Sequence, residues 1–545
     1  IMSLFTTVVS KIPKRNRFHQ AFETIHSANF GELRVLEITE LDPGNTFLDQ
    51  ISLSIKCAPM KAPAFGRIDA TLHFFFVPRR LLYDEWEQFI TGGVNGTFAQ
   101  DVSELNPVAP SFSFEDLALE NQLYDGSLAD DLGLPYAEDQ GTYVGIPPID
   151  AMPFAAYHKI FSDYYRDELL DPDEFEPLHS EVQAASTSTL LDRRYRAWRK
   201  DYFTSARPDT QLGPSVGVPI GGEITADGAF RLVDTEGVTT NTAWYARFNS
   251  QETDSDGNKY NGFYHGSSGA AAGAYADGLA LDNAYLLIQD LRKGLRLQEF
   301  REKNMRGGNR YIENIFHHFG VKSSDARLQR AQYLGGRSVP VVIGEVLQSV
   351  DTRVTSEGVT TGNPLGQRGG VANAGGSSQR IKFFSEEHGF VLAILSIMPH
   401  ALYYQGIPRM FAARWDPMDY AWPEFGNLGE QEIYNWELYV EEGADADNAG
   451  VFGYQSRYAD RKFRPSTIHG KFRSGQLMSW HTARQFSNRP KLNKSFVYFP
   501  SDVYAGGANR IFVVESNALD DHFYIHAWHD LTIVQHLPKY GIPSL

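Results

Sequence analysis

The chain has 545 residues, 42% of them hydrophobic and 13% aromatic, enough for a substantial core and too many for a disordered protein. Its formal charge of −17 sets the surface as a whole against nucleic acid and anionic membranes. A single cysteine, Cys57, excludes an internal disulfide scaffold and points to a reducing compartment, or to assembly within one.

No stretch approaches the ~20 apolar residues of a membrane helix. The opening "IMSLFTTVVSKIPKR" has its basic residues after its apolar ones, the reverse of a secretory signal. Lys11, Lys14, Arg15 and Arg17 form a local basic cluster ahead of the first expected strand, so residues 1–30 read as a flexible basic arm. Residues 31–98 read as strands: "ELRVLEITEL", a "DPGNT" turn, "FLDQISLSIKCAP" and "RIDATLHFFFVP". In the last of these, Phe74, Phe75 and Phe76 leave both faces apolar, so the strand is expected to be buried on both sides and to end at Pro78. "LLYDEWEQFITGG" then reads as a short capping helix with a glycine stop.

Residues 99–280 break this rhythm and read as a large insertion. It holds a helix in "MPFAAYHKIFSDYYRDELL" and a Gly-rich tract, Gly266 to Gly278, that reads as exposed and mobile. The segment 281–380 opens on an expected helix from Leu281 to Lys303 and continues into connecting segments. Residues 381–545 supply the remaining strands, including "FVLAILSIM" and "DHFYIHAWHDLTIVQHLP", and a C-terminal tail. Strands at both ends around a long excursion imply one β sandwich closed by pairing distant segments.

Chemistry is sparse. His522, His526 and His529 would share a face on a helix, but their flanks favour a strand that turns His529 away from the other two. Structural histidines are therefore expected here, not a metal site. Asp254, Asp256 and Gly257 lack the full pattern and the closing glutamate of a calcium loop. No phosphate loop or nucleophile elbow is present, and nothing in the sequence partners Cys57 for catalysis. "DRRYRAWRK" mixes arginine with aromatics as single-strand binders do; its plainer reading is a charged helix face with Tyr195 and Trp198 packed inward. No catalytic, cofactor or metal site is expected. Trp415 and Trp422, in "AARWDPMDYAWPEFG", are aromatics that a monomer would expose and are expected at a subunit interface.

Four long blocks, in order, resemble the major capsid protein of the Microviridae, most closely its gokushovirus-like branch. They are "HFFFVPRRLLYDEWEQFITGG", "KDYFTSARPDTQLGPSV", "RGGNRYIENIFHHFGVKSSDARLQRAQYLGG" and "FGYQSRYADRKFRPSTIHGKFR", followed by the ending "LPKYGIPSL". Residues 221–280 lie outside the resemblance. It implies a mainly β protein, an eight-stranded antiparallel jelly roll with long, partly helical insertions between strands. Sixty copies would form a T=1 icosahedral bacteriophage shell around a circular single-stranded DNA genome. The implied setting is the virion, assembled in the bacterial cytoplasm. The implied partners are the subunit itself, the genome, a small basic DNA-binding protein, a pilot protein and a host cell-surface receptor, with 221–280 as the surface protrusion for host attachment. On this reading the protein is structural and not an enzyme, and the four basic residues of the arm contact DNA. The competing classes are a jelly-roll carbohydrate-binding protein or glycoside-active enzyme, for which Trp415–Asp416 and Trp422–Glu424 would be the surface, and a single-strand DNA-binding module, which the net charge opposes.

Overall fold

The computed structural model describes residues 14–91, 109–119, 123–135, 145–179, 190–211, 213, 221–233, 244–246, 252–253, 259–260, 263–265, 275–285, 288–307, 329–347, 353–354, 360–361, 368–412, 414–443, 447–499, 507–514 and 521–540. Two compact units divide the chain: residues 1–210 with 318–545, and residues 211–317.

The first unit is built on ten strands: β1 (Asn16–Ala28), β2 (Arg34–Leu41), β3 (Thr46–Asp49), β4 (Ile51–Cys57), β5 (Ile68–Pro78), β6 (Gln332–Leu347), β7 (Arg368–Ser377), β8 (Ile381–Phe384), β9 (Gly389–Pro399) and β10 (Phe523–Gln535). They pair antiparallel in the order β8-β3-β10-β4-β7-β6-β5-β9-β2, with β1 along the other edge of β10. Two four-stranded runs emerge, β1-β10-β4-β7 and β2-β9-β5-β6, the two sheets of a jelly roll. The long strand β6 passes from one to the other, pairing β5 through Gln332–Val341 and β7 through Val342–Leu347. The two runs hold eight strands among the described residues, and β3, beside the end of β10, and β8, beside β3, add short pieces.

The alternation of strand side chains explains the core. Along β9, Val391, Ala393, Leu395 and Ile397 enter the cluster between the sheets, while Phe390, Leu392 and Ile394 enter a second cluster on the outer face. Every residue of β9 is consequently buried, as its unbroken apolar run predicts. Helices α1 (Trp86–Thr91), α2 (Phe114–Leu119), α3 (Leu128–Asp131) and α4 (Met152–Ile160) supply the second cluster, so the insertion through residue 210 is partly a lid over one sheet. At the corner after β5, Pro78 ends the strand and a 3₁₀ turn, Arg79–Leu81, follows. The Arg79 guanidinium lies 5.0 Å over the Trp86 ring and 4.7 Å over Phe390, tying the corner to α1 and β9. Gly31, between β1 and β2, holds φ +79° with Phe499 so close that a Cβ would meet it at 2.5 Å, so only glycine fits there.

The chain from Asn16 onward departs from the expected arm. All thirteen residues of β1 pair with β10, from Asn16 opposite Gln535 to Ala28 opposite Phe523. Alternate residues Phe18, Phe22, Thr24 and His26 turn inward, which is enough to pin the strand on a partner that the sequence places more than 490 residues away.

The second unit contains, among the described residues, an antiparallel pair of Gly221–Val233 with Tyr275–Tyr285, two short antiparallel pairs, Trp244–Ala246 with Phe263–His265 and Glu252–Thr253 with Lys259–Tyr260, and helix α5 (Ile288–Gly307). The helix expected from Leu281 begins at Ile288 instead. Leu281 lies opposite Ile224 and Tyr285 opposite Gly221, so a strand partner overrides the local helical spacing there. Residues 266–274 of the Gly-rich tract and Asp254, Asp256 and Gly257 lie outside the described residues.

Candidate functional site

Between β9 and β10 the chain forms a loop region whose most unusual surface is Arg409–Leu428. Its backbone is locked by carboxylates: Asp416 accepts from the Met418 amide at 2.7 Å, and Asp419 accepts from the amides of Trp415 at 3.0 Å and Asp416 at 2.8 Å. Two 3₁₀ turns, Pro417–Asp419 and Pro423–Phe425, follow. On this fixed frame Trp415 is 84% exposed, Phe411 65% and Met410 61%, with Trp422, Tyr420 and Leu428 around half exposed. The two indole N–H groups are satisfied internally, by the carbonyls of Ala412 at 2.8 Å and Pro417 at 2.9 Å. The rings are thus held in place with their apolar faces in solvent, an arrangement suited to being covered by another protein surface. Asp416 is committed to capping the turn and is not poised as one of a pair of acid–base carboxylates.

Of the four basic residues of the arm, Lys11 lies outside the described residues. Lys14 and Arg15 are exposed, and Arg17 is exposed in β1. Arg15 donates from Nε to His536 Nε2 at 3.0 Å and stands 5.1 Å over the Phe384 ring, while Arg17 reaches Thr532 Oγ1 at 3.5 Å. Arg17 is therefore in β1 and Arg15 directly precedes it, where the sequence reading expected a flexible arm.

The "DRRYRAWRK" segment is extended, not helical. Tyr195 bridges to Glu32 and Ala197 to Tyr498. Trp198 is buried as expected; Arg193, Arg194 and Arg196 find partners within the fold, while Arg199 is exposed. Arg193 pairs with Glu32 at 3.1 Å and Arg196 donates to Ser396 Oγ at 2.7 Å. Arg196, Arg199 and Lys200 line a cavity of about 760 Å³ together with Arg67, Tyr164 and Tyr165. Arg67 pairs with Asp69 at 2.9 Å and Lys200 pairs with Asp167, so the cavity's charge is largely compensated within the fold.

The three histidines separate as the strand reading requires. His526 faces out and meets Glu23 at 2.7 Å; His522, just before β10, is buried between Asn29 and the Val514 carbonyl. His529 faces in, fully buried, and meets two carboxylates that no local pattern places there, Glu37 and Asp49. A ligand atom from each of the three lies within 4.8 Å of the others, the one such group among the described residues. Burial, then the neighbouring Glu37, holds the Asp49 carboxyl well above the usual carboxylate range.

Comparison with known proteins decides the family. The family described as capsid protein (F protein) matches residues 6–545. The chain belongs to this family of phage capsid proteins. Its relatives include the capsid protein VP1 of Bdellovibrio phage phiMH2K, 31% identical over 99% of this chain and 97% of that protein. VP1 of Chlamydia phage 1 is 29% identical over 99% and 97%, and VP1 of Spiroplasma virus 4 is 28% identical over 89% and 87%. All three are gokushovirus-like Microviridae, the branch the sequence blocks resemble. This is a major capsid protein of a small single-stranded DNA phage, a structural protein of the virion.

Trp415 and Trp422 were visible in sequence as aromatics beside prolines; Met410 and Phe411 were not singled out, and only their exposure marks them. The Glu37–Asp49–His529 group had no sequence signal, since Glu37 and His529 stand 492 positions apart.

Proposed function

We propose that this capsid protein assembles as sixty copies into a T=1 icosahedral shell around a circular single-stranded DNA genome, in the cytoplasm of a bacterial host. The observation that carries the reading is the Arg409–Leu428 loop, a hydrogen-bonded frame that leaves Trp415 84% exposed. A surface built rigid and apolar in the lone subunit fits a contact repeated around a closed shell. Lys11, Lys14, Arg15 and Arg17 face the genome, aided by a small basic DNA-binding protein, and a pilot protein accompanies the DNA. The stretch 221–280, inside the separate second unit, is the outward protrusion that meets a host cell-surface receptor. Residues 1–30, 31–98, 99–280, 281–380 and 381–545 then serve as arm, first strands with their capping helix, insertion, connecting segment and closing strands, with Asn16–Ala28 of the arm forming β1.

The test is sedimentation of Trp415→Ala and Trp422→Ala chains. Each should remain soluble and folded while particle yield falls steeply, because truncating a central interface tryptophan costs about 2 kcal/mol or more per contact, repeated at every interface. Assembly of both variants at wild-type yield would refute the interface.

A further inference from the structure

We propose that Glu37, Asp49 and His529 bind one divalent first-row metal ion, zinc being the best match, which pins the two sheets of the jelly roll to each other. This inference stands apart from shell formation.

The three ligands come from three strands and both sheets: Glu37 from β2 on one, Asp49 from β3 and His529 from β10 on the other. All three are buried, Asp49 and His529 completely. Asp49 is the decisive residue. Both of its carboxylate oxygens are buried, and neither has a hydrogen-bond partner among the described residues. A buried carboxylate left in that condition is costly unless a cation or a proton meets it.

The other two ligands are already oriented from behind. Thr39 Oγ1 donates to Glu37 Oε1 at 2.7 Å, leaving Oε2 directed inward. Thr24 Oγ1 meets His529 Nε2 at 3.1 Å, and the Phe22 ring stacks flat on the imidazole, centroids 4.3 Å apart and planes 5° from parallel. With Nε2 as the N–H donor to Thr24, the Nδ1 lone pair is the one directed at Glu37 and at the proposed ion, the usual way a second hydrogen bond fixes the tautomer of a metal-bound histidine. Nδ1 and Glu37 Oε2 stand 3.2 Å apart. Two ligands at the ~2.0–2.1 Å bond lengths of zinc in a tetrahedral site are separated by about 3.3 Å. One imidazole and two carboxylates give a neutral site around a dication, and the nitrogen donor selects a zinc-like ion over calcium or magnesium, which prefer all-oxygen shells. Three protein ligands leave the fourth position to water.

The full-length chain, produced with zinc present and exhaustively dialysed, should carry about one zinc per chain by elemental mass spectrometry. A strong chelator should lower its melting temperature, and added zinc should restore it. Asp49→Asn, equal in volume and uncharged, should lose the stoichiometric zinc and the chelator response together while keeping its circular dichroism spectrum. Should that variant not fold, cobalt-loaded wild-type protein decides: a four-coordinate ligand-field spectrum without a thiolate charge-transfer band supports the site and excludes Cys57 as the ligand. Substoichiometric zinc with no thermal response to chelator or zinc would overturn the proposal, leaving a proton shared between the carboxylates. Zinc retained in folded Asp49→Asn would overturn it too, by placing the ion elsewhere.

Discussion

Phe74 and Phe75 are consecutive in β5 and belong to different cores. Phe74 lies fully buried between the two sheets, and Phe75, 1% exposed, lies on the outer face, where its ring meets Tyr164 at 4.8 Å and Tyr333 at 5.4 Å. The three-phenylalanine run is thus the place where one strand holds the sandwich and its helical covering together.

Truncating either ring should be severe. Phe74→Ala and Phe75→Ala should each destabilise the subunit by about 3–5 kcal/mol in urea unfolding, from lost transfer energy and the cavity left behind. Ile25→Ala, at a position 81% exposed on β1, should change stability by no more than about 0.5 kcal/mol. Equal effects at Phe75 and Ile25 would contradict the second core.

Acid should weaken the subunit through two histidines held neutral. Burial, and secondarily Arg196, pushes His73 down to about 4; burial, and secondarily Arg194, pushes His158 down to about 3. His158 is fixed as the neutral ring, meeting the Leu190 carbonyl at Nε2 (2.7 Å) and receiving Arg194 Nε at Nδ1 (3.3 Å). Below about pH 6.5 the unfolded chain gains protons at these rings that the folded chain refuses, so their contribution is complete above that pH and is lost as the pH falls toward 4 and 3. Denaturant unfolding at pH 7 and 4.5 should show the loss. A His73→Gln, His158→Gln chain should have a pH dependence flatter by about 2 kcal/mol per histidine over that interval. An unchanged pH dependence would rule these rings out as its source.

Replacing Lys11, Lys14, Arg15 and Arg17 with Ser or Gln should give particles that form but hold less DNA. Contacts from these cations to phosphate are independent of sequence and weaken with salt, so DNA retention should also become less salt-sensitive. Because Arg15 and Arg17 contact His536 and Thr532, the double change of Lys11 and Lys14 separates DNA contact from any loosening of the strand end. Full genomes with unaltered salt sensitivity in the four-residue variant would make the arm structural.

Deleting Gly266–Ala274 removes the glycine-rich tract ahead of the Tyr275–Tyr285 strand and should leave assembly intact while lowering adsorption to host cells. Normal adsorption by these particles would refute a receptor role for this tract.

The jelly roll was legible where local pattern and tertiary fate agree. The double-sided apolar runs of β5 and β9, and the stop at Pro78, state burial on both faces directly. It was not legible where a distant partner decides. The polar residues of β1 mask its inward alternation, and only β10 makes a strand of it. Leu281–Tyr285 carry helical spacing but are claimed by the strand at Gly221. "DRRYRAWRK" read as a charged helix face, but bridges to Glu32 and Tyr498 make it extended, with Arg193 on Glu32 and Arg196 on Ser396. The exposure of Trp415 and Trp422 could be read from composition, because a loop cannot bury so many rings by itself. The Glu37–Asp49–His529 group could not, since strand pairing alone brings its members together.

The most direct test of the account is electron microscopy of the full-length chain expressed without other phage proteins, classified by particle symmetry. The account predicts uniform small icosahedral shells of sixty subunits, lost when Trp415 is replaced by Ala. A population of folded monomers, or particles of another symmetry built by the wild-type chain, would contradict it.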